Sequence, residues 1–402
     1  MIKTKSSLIF IFFTLLIDCT GIGLIIPVVP TLIQNLVGGT ISEAASYGGW
    51  LTFSYAAMQF FFSPILGGLS DQFGRRPVIL ISLLGLGLDY IFLYYAPTIT
   101  WLFVGRIIAG VCGASFTSAS AFIADISNEN NRAQNFGMIG AAFGLGFIIG
   151  PFLGSIFSQY GVRVPFMIAA ILSLLNFIYG IFVLPESLSK ENRRSFDWKR
   201  ANPFGSLIQL KSYPTVYGFI ITLILLYIAG HAAQSTWTFY TIEKFQWNEQ
   251  WVGYSIAFVG LSVAIVQGGL IKSSIKYLGQ NKSVIIGLLF YILGFVLFSL
   301  ASKGWMMFAF MIPYALGGIA GPALQSLISG QVPSNAQGEL QGALTSLMSV
   351  TSIVGPLLMT FLFSYFTAKD APIYFPGAPF LAGGVLTLIG TISIIGTLKK
   401  NS

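Results

Sequence analysis

The sequence GGLSDQFGRRP occupies residues 67–77 and joins two long apolar runs of the chain. Gly67 and Gly74 permit close packing and a sharp turn, because glycine has no side chain to clash. Asp71 can lie against a helix N-terminus or an arginine, where a carboxylate is stabilised. A contact of this kind can form and break, so we expect the stretch to serve as a releasable latch.

The composition of the chain excludes a soluble protein. Of its 402 residues, 55% are hydrophobic and 8% are charged, and the mean hydropathy is +0.79. A soluble domain carries roughly 25% charged residues, since water must wet its surface. Cys19 and Cys112 lie in apolar runs and are expected to pack there, and with one histidine they offer no zinc site of ordinary spacing. We therefore expect a protein that lies in lipid and needs no cofactor.

Long apolar runs predict an all-α integral membrane protein. A bilayer core of about 30 Å takes roughly 20 apolar residues in a helix. Twelve runs fit this length: 6–28, 47–69, 78–96, 99–122, 135–159, 164–184, 214–240, 250–271, 283–301, 305–327, 340–366 and 376–397. The polar stretch 185–213 divides them six and six. We expect twelve transmembrane helices in two pseudo-symmetric six-helix bundles, residues 1–184 and 214–402, with 185–213 as a cytoplasmic linker.

The distribution of Lys and Arg predicts the orientation. If both termini are cytoplasmic, sixteen of the 21 basic residues fall in inside segments and Arg106 falls within a span. The outside loops hold the remaining four: Arg163, Lys244, Lys303 and Lys369. Cytoplasmic loops carry the excess of positive charge in membrane proteins. The net charge of +8 is thus a topology signal and not a nucleic-acid patch, and the short loops indicate a bacterial cytoplasmic membrane.

Three charged residues lie at membrane depth, where each costs at least about 2.5–3.5 kcal/mol and therefore indicates function. Asp89 and Arg106 lie eight residues before and nine residues after Pro97, so neighbouring antiparallel helices would bring them to equal depth. Two roles are possible for this pair. It is either an ion pair that only stabilises the bundle, or Asp89 binds and releases a proton as its contact with Arg106 changes. Asp18, near the middle of the first span, is expected to couple protons or to contact a cation of the substrate.

Neutral side chains at depth are the other candidates. His231 is either a packing residue or part of a substrate cavity. The glutamines at depth, which either line the path or bond between helices, are Gln59, Gln234, Gln267 and Gln325. The rings that would suit a flat apolar ligand, or that simply face lipid, are Phe143, Phe147, Trp237 and Tyr240. The sequence has neither the charge rings of a channel nor a cluster of nucleophile, base and metal ligands.

Residues 67–77 closely resemble the cytoplasmic signature G-x-L-x-D-x-x-G-R-[RK] of the major facilitator superfamily. A degenerate echo, Gly268 to Gly279, lies in the matching loop of the second half. The fifth span resembles the antiporter motif of drug exporters in that superfamily through its small residues and proline: Gly140, Gly144, Gly146, Gly150, Pro151 and Gly154. We expect the glycines of this span to allow close contact with another helix and its Gly-Pro pair to bend the helix. Gly355-Pro356 repeats this pair in the eleventh span, and Arg106 with Gly110 and Gly113 resembles a pattern associated with proton transfer.

Nearly the whole chain is similar to the tetracycline/proton antiporters of that superfamily. The segments that carry this similarity are Asp18–Pro30, Leu88–Tyr90, Gly321–Gln325 and Leu340–Gly342. The resemblance implies the major facilitator fold and, taken together with the residues singled out above, gives three groups of candidate site residues. Proton coupling would use Asp18, Asp89 and Arg106. Conformational gating would use Gly67, Asp71, Gly74, Arg75, Arg76, Gly150 and Pro151. The substrate cavity would include Gln59, His231, Trp237 and Gln325.

The chain departs from those antiporters at Val263 and Tyr291, where they carry a histidine and an aspartate. A substrate bound as a metal chelate therefore loses an expected partner. The leading hypothesis is proton-coupled export of small amphiphilic molecules by alternating access, with a tetracycline-like drug as one candidate. The alternative is a symporter or importer of a nutrient or metabolite. A transport-inactive receptor is disfavoured by the intact motifs, and a monomer suffices for a path between two halves of one chain.

Overall fold

The computed structural model describes residues 2–113, 115–126, 132–193, 195–196, 217–331 and 337–401, and all regular secondary structure in these ranges is helical. The α-helices of the first half are α1 Ile2–Ile25, α2 Val29–Val37, α3 Ile41–Phe73, α4 Arg75–Tyr94, α5 Ile99–Cys112, α6 Ser115–Ile126, α7 Arg132–Phe157 and α8 Val164–Val183. Those of the second half are α9 Tyr217–Phe245, α10 Glu249–Ile265, α11 Ile271–Leu300, α12 Gly304–Gly317, α13 Ala320–Gly330, α14 Gln337–Thr367 and α15 Ala378–Asn401.

Ten helical stretches of the described residues are long and apolar enough to cross a membrane. They are Leu8–Ile25, Arg75–Tyr94, Ile99–Ile126, Ala141–Tyr160, Val164–Val183, Tyr217–Phe245, Ser273–Leu300, Gly304–Ile328, Leu344–Thr367 and Ala378–Leu398. The predicted all-α membrane class is thus confirmed. The other two predicted spans, 47–69 and 250–271, lie on α3 and α10. Ser, Gly and Gln lower the mean hydropathy of the first. The second has only 17 α-helical residues before a π-helical turn at Val266–Leu270.

Two predicted spans are divided in the structure, and the first run ends early. Its helix ends at Ile25, before a turn at residues 26–28, and the short α2 begins at Val29, beyond the run. The fourth run is split at Gly113 between α5 and α6, and the tenth is split at Gly318 between α12 and α13. Glycine is a poor helix former, because it gives up the most backbone freedom when it is fixed.

Packing groups the chain into two compact units. The first holds Met1–Gly38, Ser54–Pro203 and Glu249–Ala257, and the second holds Gly39–Phe53, Phe204–Asn248 and Phe258–Ser402. Two short segments, one from each half of the sequence, are therefore grouped with the unit of the other half. Of the predicted linker, residues 185–193 and 195–196 are described and belong to the first unit; the rest lies outside the described residues.

Each unit has its own apolar core. In the first unit α1 packs along α7 and α8, and α4 packs along α5 and α8. Its core includes Phe10, Ile79, Leu83 and Phe122. In the second unit α9 packs against α14 and α15, and α11 packs against α12 and α15. The buried side chains between these helices include Phe219, Leu223, Leu288, Leu324 and Ile394.

Candidate functional site

Asp89 and Arg106 face each other inside the first unit. They lie on α4 and α5, two helices joined by the turn at Pro97, and Arg106 Nη2 is 3.9 Å from Asp89 Oδ2. The Asp89 side chain is fully buried, and neither of its oxygens accepts a hydrogen bond from the described residues. A charge-assisted hydrogen bond would be about 2.7–2.9 Å long. The pairing predicted from the sequence is therefore present, but it acts across a gap and not through a direct hydrogen bond.

Two polar side chains of α3 lie beside this pair. The guanidinium carbon of Arg106 is 6.0 Å from the centre of the Tyr55 ring, which is within reach of a cation–π interaction. Gln59 Nε2 donates to the backbone oxygen of Gly113 at 3.3 Å and lies 3.4 Å from the Tyr55 hydroxyl. Gln59 is thus part of the cluster around Arg106. Tyr55 was missed by sequence reasoning, because one of 17 tyrosines in an apolar span carries no distinguishing signal.

Asp18 lies half-buried on α1 and is near enough to Tyr55 to interact with it electrostatically. One turn further along α1, a Cβ placed on Gly21 would be 3.0 Å from the Tyr90 hydroxyl. Tyr90 is adjacent in sequence to Asp89, so α1 and α4 come close at this depth. The structure thus brings the three charged residues predicted at membrane depth onto adjoining helices of one unit.

The glycines of α7 form a close seam with α1. A Cβ on Gly150 would lie 2.6 Å from the backbone oxygen of Thr20 and 2.7 Å from Cα of Gly23, distances that real atoms do not reach. Gly146 and Gly154 meet backbone atoms of the same helix. The predicted close packing of this motif is confirmed at these three positions. Gly146 meets Cys19, the residue that follows Asp18, so a shift of the seam would change the surroundings of that carboxylate.

One glycine of this motif differs from the sequence interpretation. A Cβ on Gly144 would meet no atom of the described residues within 4 Å, so this glycine does not contribute to the seam. The helix continues past Pro151, from Arg132 to Phe157. Pro151 contributes to the contact with α1, where its Cδ would be 2.7 Å from a Cβ on Gly23.

Residues 67–77, here called the 67–77 loop, comprise the end of α3, Gly74 and the start of α4, and they are arranged around the Arg75 side chain. Gly74 has φ +104°, a conformation that favours glycine, and it turns the chain from α3 into α4. Arg75 is nearly buried, and its guanidinium donates to Asp71, to the Ser70 hydroxyl at 2.7 Å and to Asp125 Oδ2 at 3.1 Å. Asp71 therefore lies against an arginine, one of the two placements expected.

The remaining loop residues have separate contacts. Arg76 Nη2 donates to the backbone oxygen of Ile181 at 2.7 Å, at the end of α8. A Cβ on Gly67 would meet only Thr117 Cγ2 at 3.5 Å, an ordinary distance. The space among the described residues therefore does not itself require glycine at position 67, whereas the requirement at position 74 is conformational.

In the second unit, the predicted cavity residues His231 and Trp237 lie in packed positions. His231 is buried on α9, and a Cβ on Gly355 of α14 would come within 2.7 Å of its Cγ. Trp237 is 7% exposed and packs edge-to-face on Phe298 at 5.1 Å and on Phe380 at 6.1 Å. A ring held in this way is a core residue of the unit, so the structure does not support a cavity-lining position for Trp237.

Gln325 makes a polar contact in the second unit, whereas the two positions that depart from the antiporter pattern lie in apolar surroundings. Gln325 is exposed, and its Nε2 donates to the Tyr227 hydroxyl at 3.1 Å. Tyr291, one of the two departures from the antiporter pattern, lies among aromatic rings, 5.2 Å from Tyr314 and 6.2 Å from Phe295 between ring centres. Val263, the other departure, packs beside a small apolar cluster. Both positions are thus filled by neutral side chains in apolar surroundings.

Asp125 and Glu186 are contacts of the loop that sequence reasoning missed. Asp125 lies one residue before the end of α6, and Glu186 follows α8 by three residues. Their acidic side chains at the ends of apolar runs were the available signal, but they reach the loop from 50 and 111 residues away along the chain.

Comparison with known proteins agrees with this architecture. The sequence profile of the Major Facilitator Superfamily matches residues 11–278. The chain is 38% identical over 362 residues to the tetracycline resistance protein, class C, of Escherichia coli, which covers 90% of this chain and 91% of that protein. It is 39% identical over 350 residues to the class E protein of the same organism, covering 87% and 85%.

A solved structure shows the same fold. The human organic anion transporter MFSD10 (TETRAN) superposes with a TM-score of 0.70 at 22% identity, over 97% of this chain and 99% of that one. The profile match and the two bacterial relatives each extend over more than half of the chain. The protein is therefore a multi-pass membrane transporter and not an enzyme, and it belongs to the Major Facilitator Superfamily.

Proposed function

We propose that the protein exports small amphiphilic molecules across the bacterial cytoplasmic membrane in exchange for protons. In this proposal the chain is a monomer with twelve transmembrane helices in two six-helix bundles and with both termini in the cytoplasm. Transport proceeds by alternating access, in which the bundles expose a binding site first to one side of the membrane and then to the other. The partners are the substrate, protons and lipid.

The buried pair of Asp89 and Arg106 is the observation that carries the proposal. A charged carboxylate inside a membrane protein is retained for a reason, because its burial is costly. The proton affinity of such a group depends on its partner and its hydration. Arg106 Nη2 lies 3.9 Å from Asp89 Oδ2, and no described residue donates a hydrogen bond to this carboxylate. The proton affinity of Asp89 is therefore sensitive to small movements of Arg106. Movement of α5 against α4 would then be coupled to proton uptake and release.

Asp18 is the proposed second member of the proton pathway. It is half-buried and lies one residue from the α1 segment that packs against Gly146 and Gly150. Because that packing leaves no room for a side chain, α1 and α7 move either together or along the seam. A carboxylate at this place changes its surroundings whenever the seam shifts. Asp71 and Arg75 would act in the same cycle as a latch that opens and re-forms.

The substrate class rests on the bacterial relatives and on the second unit. The relatives are named for resistance to tetracycline, which favours a flat, amphiphilic cargo. The neutral residues Val263 and Tyr291 and the Gln325–Tyr227 hydrogen bond offer apolar and hydrogen-bonding contacts in place of charges. These neutral positions favour a substrate without a metal ion; if a chelate is transported, the ion arrives with the substrate, and the protein itself would need no cofactor.

Inside-out membrane vesicles that contain the protein provide the test. With an acid interior, addition of tetracycline and Mg²⁺, or of another drug from a panel, should cause proton efflux together with drug uptake. Asp18→Asn should abolish both signals while the protein remains in the membrane. Asp370→Asn, at an exposed position between α14 and α15, is the matched control and should behave as wild type.

Two results would count against the proposal. Full proton-driven transport by Asp18→Asn would remove that residue from the pathway. Silence across the panel, with folded protein confirmed, would favour the symporter or importer of a nutrient or metabolite. The reverse experiment, uptake of nutrients by right-side-out vesicles under an inward proton gradient, would then identify it.

A further inference from the structure

Glu186, in the first described part of the linker, binds the start of α4. Its carboxylate accepts hydrogen bonds from the backbone N–H groups of Arg75 at 2.9 Å and Arg76 at 3.3 Å. It also accepts one from Leu188 at 3.0 Å, and Arg193 Nη2 lies 3.9 Å from it. One side chain of the linker therefore holds two backbone groups of the 67–77 loop.

The start of α4 cannot supply this contact itself. The first N–H groups of a helix have no partner within the helix and are usually satisfied by the side chain of the preceding residue. That residue is Gly74, which has no side chain and whose φ of +104° favours glycine. A Cβ at this position would lie 2.7 Å from Cδ of Glu186 and 3.0 Å from Nη2 of Arg193. Gly74 thus both lacks a cap and leaves the space that Glu186 occupies.

The linker also reaches the side-chain partners of Arg75. The Ser187 hydroxyl donates to Asp125 Oδ2 at 2.8 Å, the same oxygen that accepts from Arg75 Nε at 3.1 Å. Further along, the Phe196 ring lies against Gly68, where a Cβ would come within 2.9 Å of it. Contacts with backbone, carboxylate and glycine all connect the same linker segment to the same loop.

We propose that Glu186, Ser187 and Phe196 of the linker form a brace for the 67–77 loop, with Glu186 as the positioning residue that caps α4 from outside the helix. The brace fixes the backbone of Arg75 and thereby the direction of its guanidinium toward Asp71 and Asp125. The inference rests on the proposed function in one respect, since it takes the Asp71–Arg75 contact to be the latch of the transport cycle. Its consequence is that the linker sets how readily this latch opens.

Hydrogen–deuterium exchange tests the brace without any substrate. In the purified full chain, Glu186→Ala should raise the exchange rate of a peptide that spans residues 74–78 by about tenfold, because two N–H groups lose their acceptor. Glu191→Ala, at an exposed site in the next turn of the linker, should leave that rate unchanged. Glu186→Gln keeps the size of the side chain and one acceptor oxygen, so the exchange rate should rise by less than in Glu186→Ala. This variant tests the brace if Glu186→Ala does not accumulate. Wild-type exchange in both Glu186 variants would overturn the brace.

Transport in vesicles tests the consequence for the latch. With tetracycline and Mg²⁺ as the probe, Glu186→Ala should change kcat by about tenfold and leave KM within about twofold, because the brace touches no substrate. A change in KM alone would contradict a positioning role. If wild type transports none of the panel but exchange in Glu186→Ala still rises, the proposed function has failed and the brace stands. If transport is normal in wild type and unaffected in Glu186→Ala, the brace has no role in the cycle and this inference fails.

Discussion

The two units differ in where they carry charge. The first unit places Asp18, Asp89 and Arg106 at membrane depth, on adjoining helices. The six predicted spans of the second half contain no Asp, Glu, Lys or Arg at all. One of their polar contacts is the neutral hydrogen bond from Gln325 to Tyr227. If protons drive transport, the groups that bind them lie in the first unit, and the second unit contributes shape and hydrogen bonds.

The two units also differ in what the glycines of their Gly-Pro pairs contact. Gly150 of α7 meets the backbone of α1, whereas Gly355 of α14 meets the ring of His231. A backbone contact cannot adjust to an added methyl group, but a side chain can change its rotamer or be replaced. The matching Gly-Pro pairs thus share a sequence and differ in the physical reason for their glycine.

The largest effect is expected from breaking the buried ion pair of the first unit. Arg106→Gln leaves Asp89 charged and buried, which should cost about 3–5 kcal/mol or force the carboxylate to take up a proton. Asp89→Asn leaves a better hydrated guanidinium, since the Arg106 side chain is 18% exposed, and should cost less. Thermal unfolding of the purified variants, with transport as a second readout, would measure both.

The double variant Asp89→Asn/Arg106→Gln decides whether the two residues interact. A pair at 3.9 Å should give a coupling energy of about 0.5–3 kcal/mol, so the double variant should be more stable than the sum of the single losses predicts. Additive losses would show that the attraction across this gap contributes nothing. The double variant has no ionisable carboxylate at position 89, so it should not transport if that carboxylate is needed.

A smaller effect is expected from adding a methyl group at the two matched glycines. Gly150→Ala should destabilise the protein by about 1–3 kcal/mol and stop transport, because backbone atoms 2.6–2.7 Å away must move. Gly144→Ala, on the same helix and with nothing within 4 Å, is the control and should stay within about 0.5 kcal/mol of wild type.

Gly355→Ala completes this comparison, because its obstacle is a side chain. The loss caused by Gly355→Ala should be partly recovered by His231→Ala, which removes the ring atoms nearest to the new methyl group. Transport by this double variant would also show that His231 is not required for proton coupling. If no change at position 231 relieves Gly355→Ala, the glycines of the two units have the same role after all.

The sequence predicted those features that follow from helix geometry. Equal spacing around Pro97 placed Asp89 and Arg106 at one depth, and the small residues of the fifth span predicted its close seam. It could not predict which side of α9 is buried, because that helix is apolar on all sides and has no distinct polar face. Trp237 was for this reason assigned to a cavity although it lies in the core.

The loop contacts show another limit of sequence reasoning. Residues 67–77 predicted a latch, which stays a prediction, and the contact of Asp71 with an arginine that this prediction allowed is present. The other partners, Asp125 and Glu186, come from the ends of distant helices, and the sequence does not record which ends meet. Charge at the end of an apolar run is common in membrane proteins, so neither residue stood out from the other basic and acidic residues near the spans.

The smallest effect is expected from the neutral hydrogen bond of the second unit. Tyr227→Phe removes the acceptor of the Gln325 amide and should cost about 0.5–1.5 kcal/mol, since the exposed amide can bond to water instead. If the second unit shapes the binding site, this variant should raise KM for the transported drug less than tenfold and leave the ratio of protons to drug unchanged. Phe361→Tyr, on the exposed side of α14, adds a hydroxyl away from this bond and serves as the control. A change in the proton ratio of Tyr227→Phe would contradict the division of roles, because it would place a coupling group in the unit whose predicted spans carry no charge.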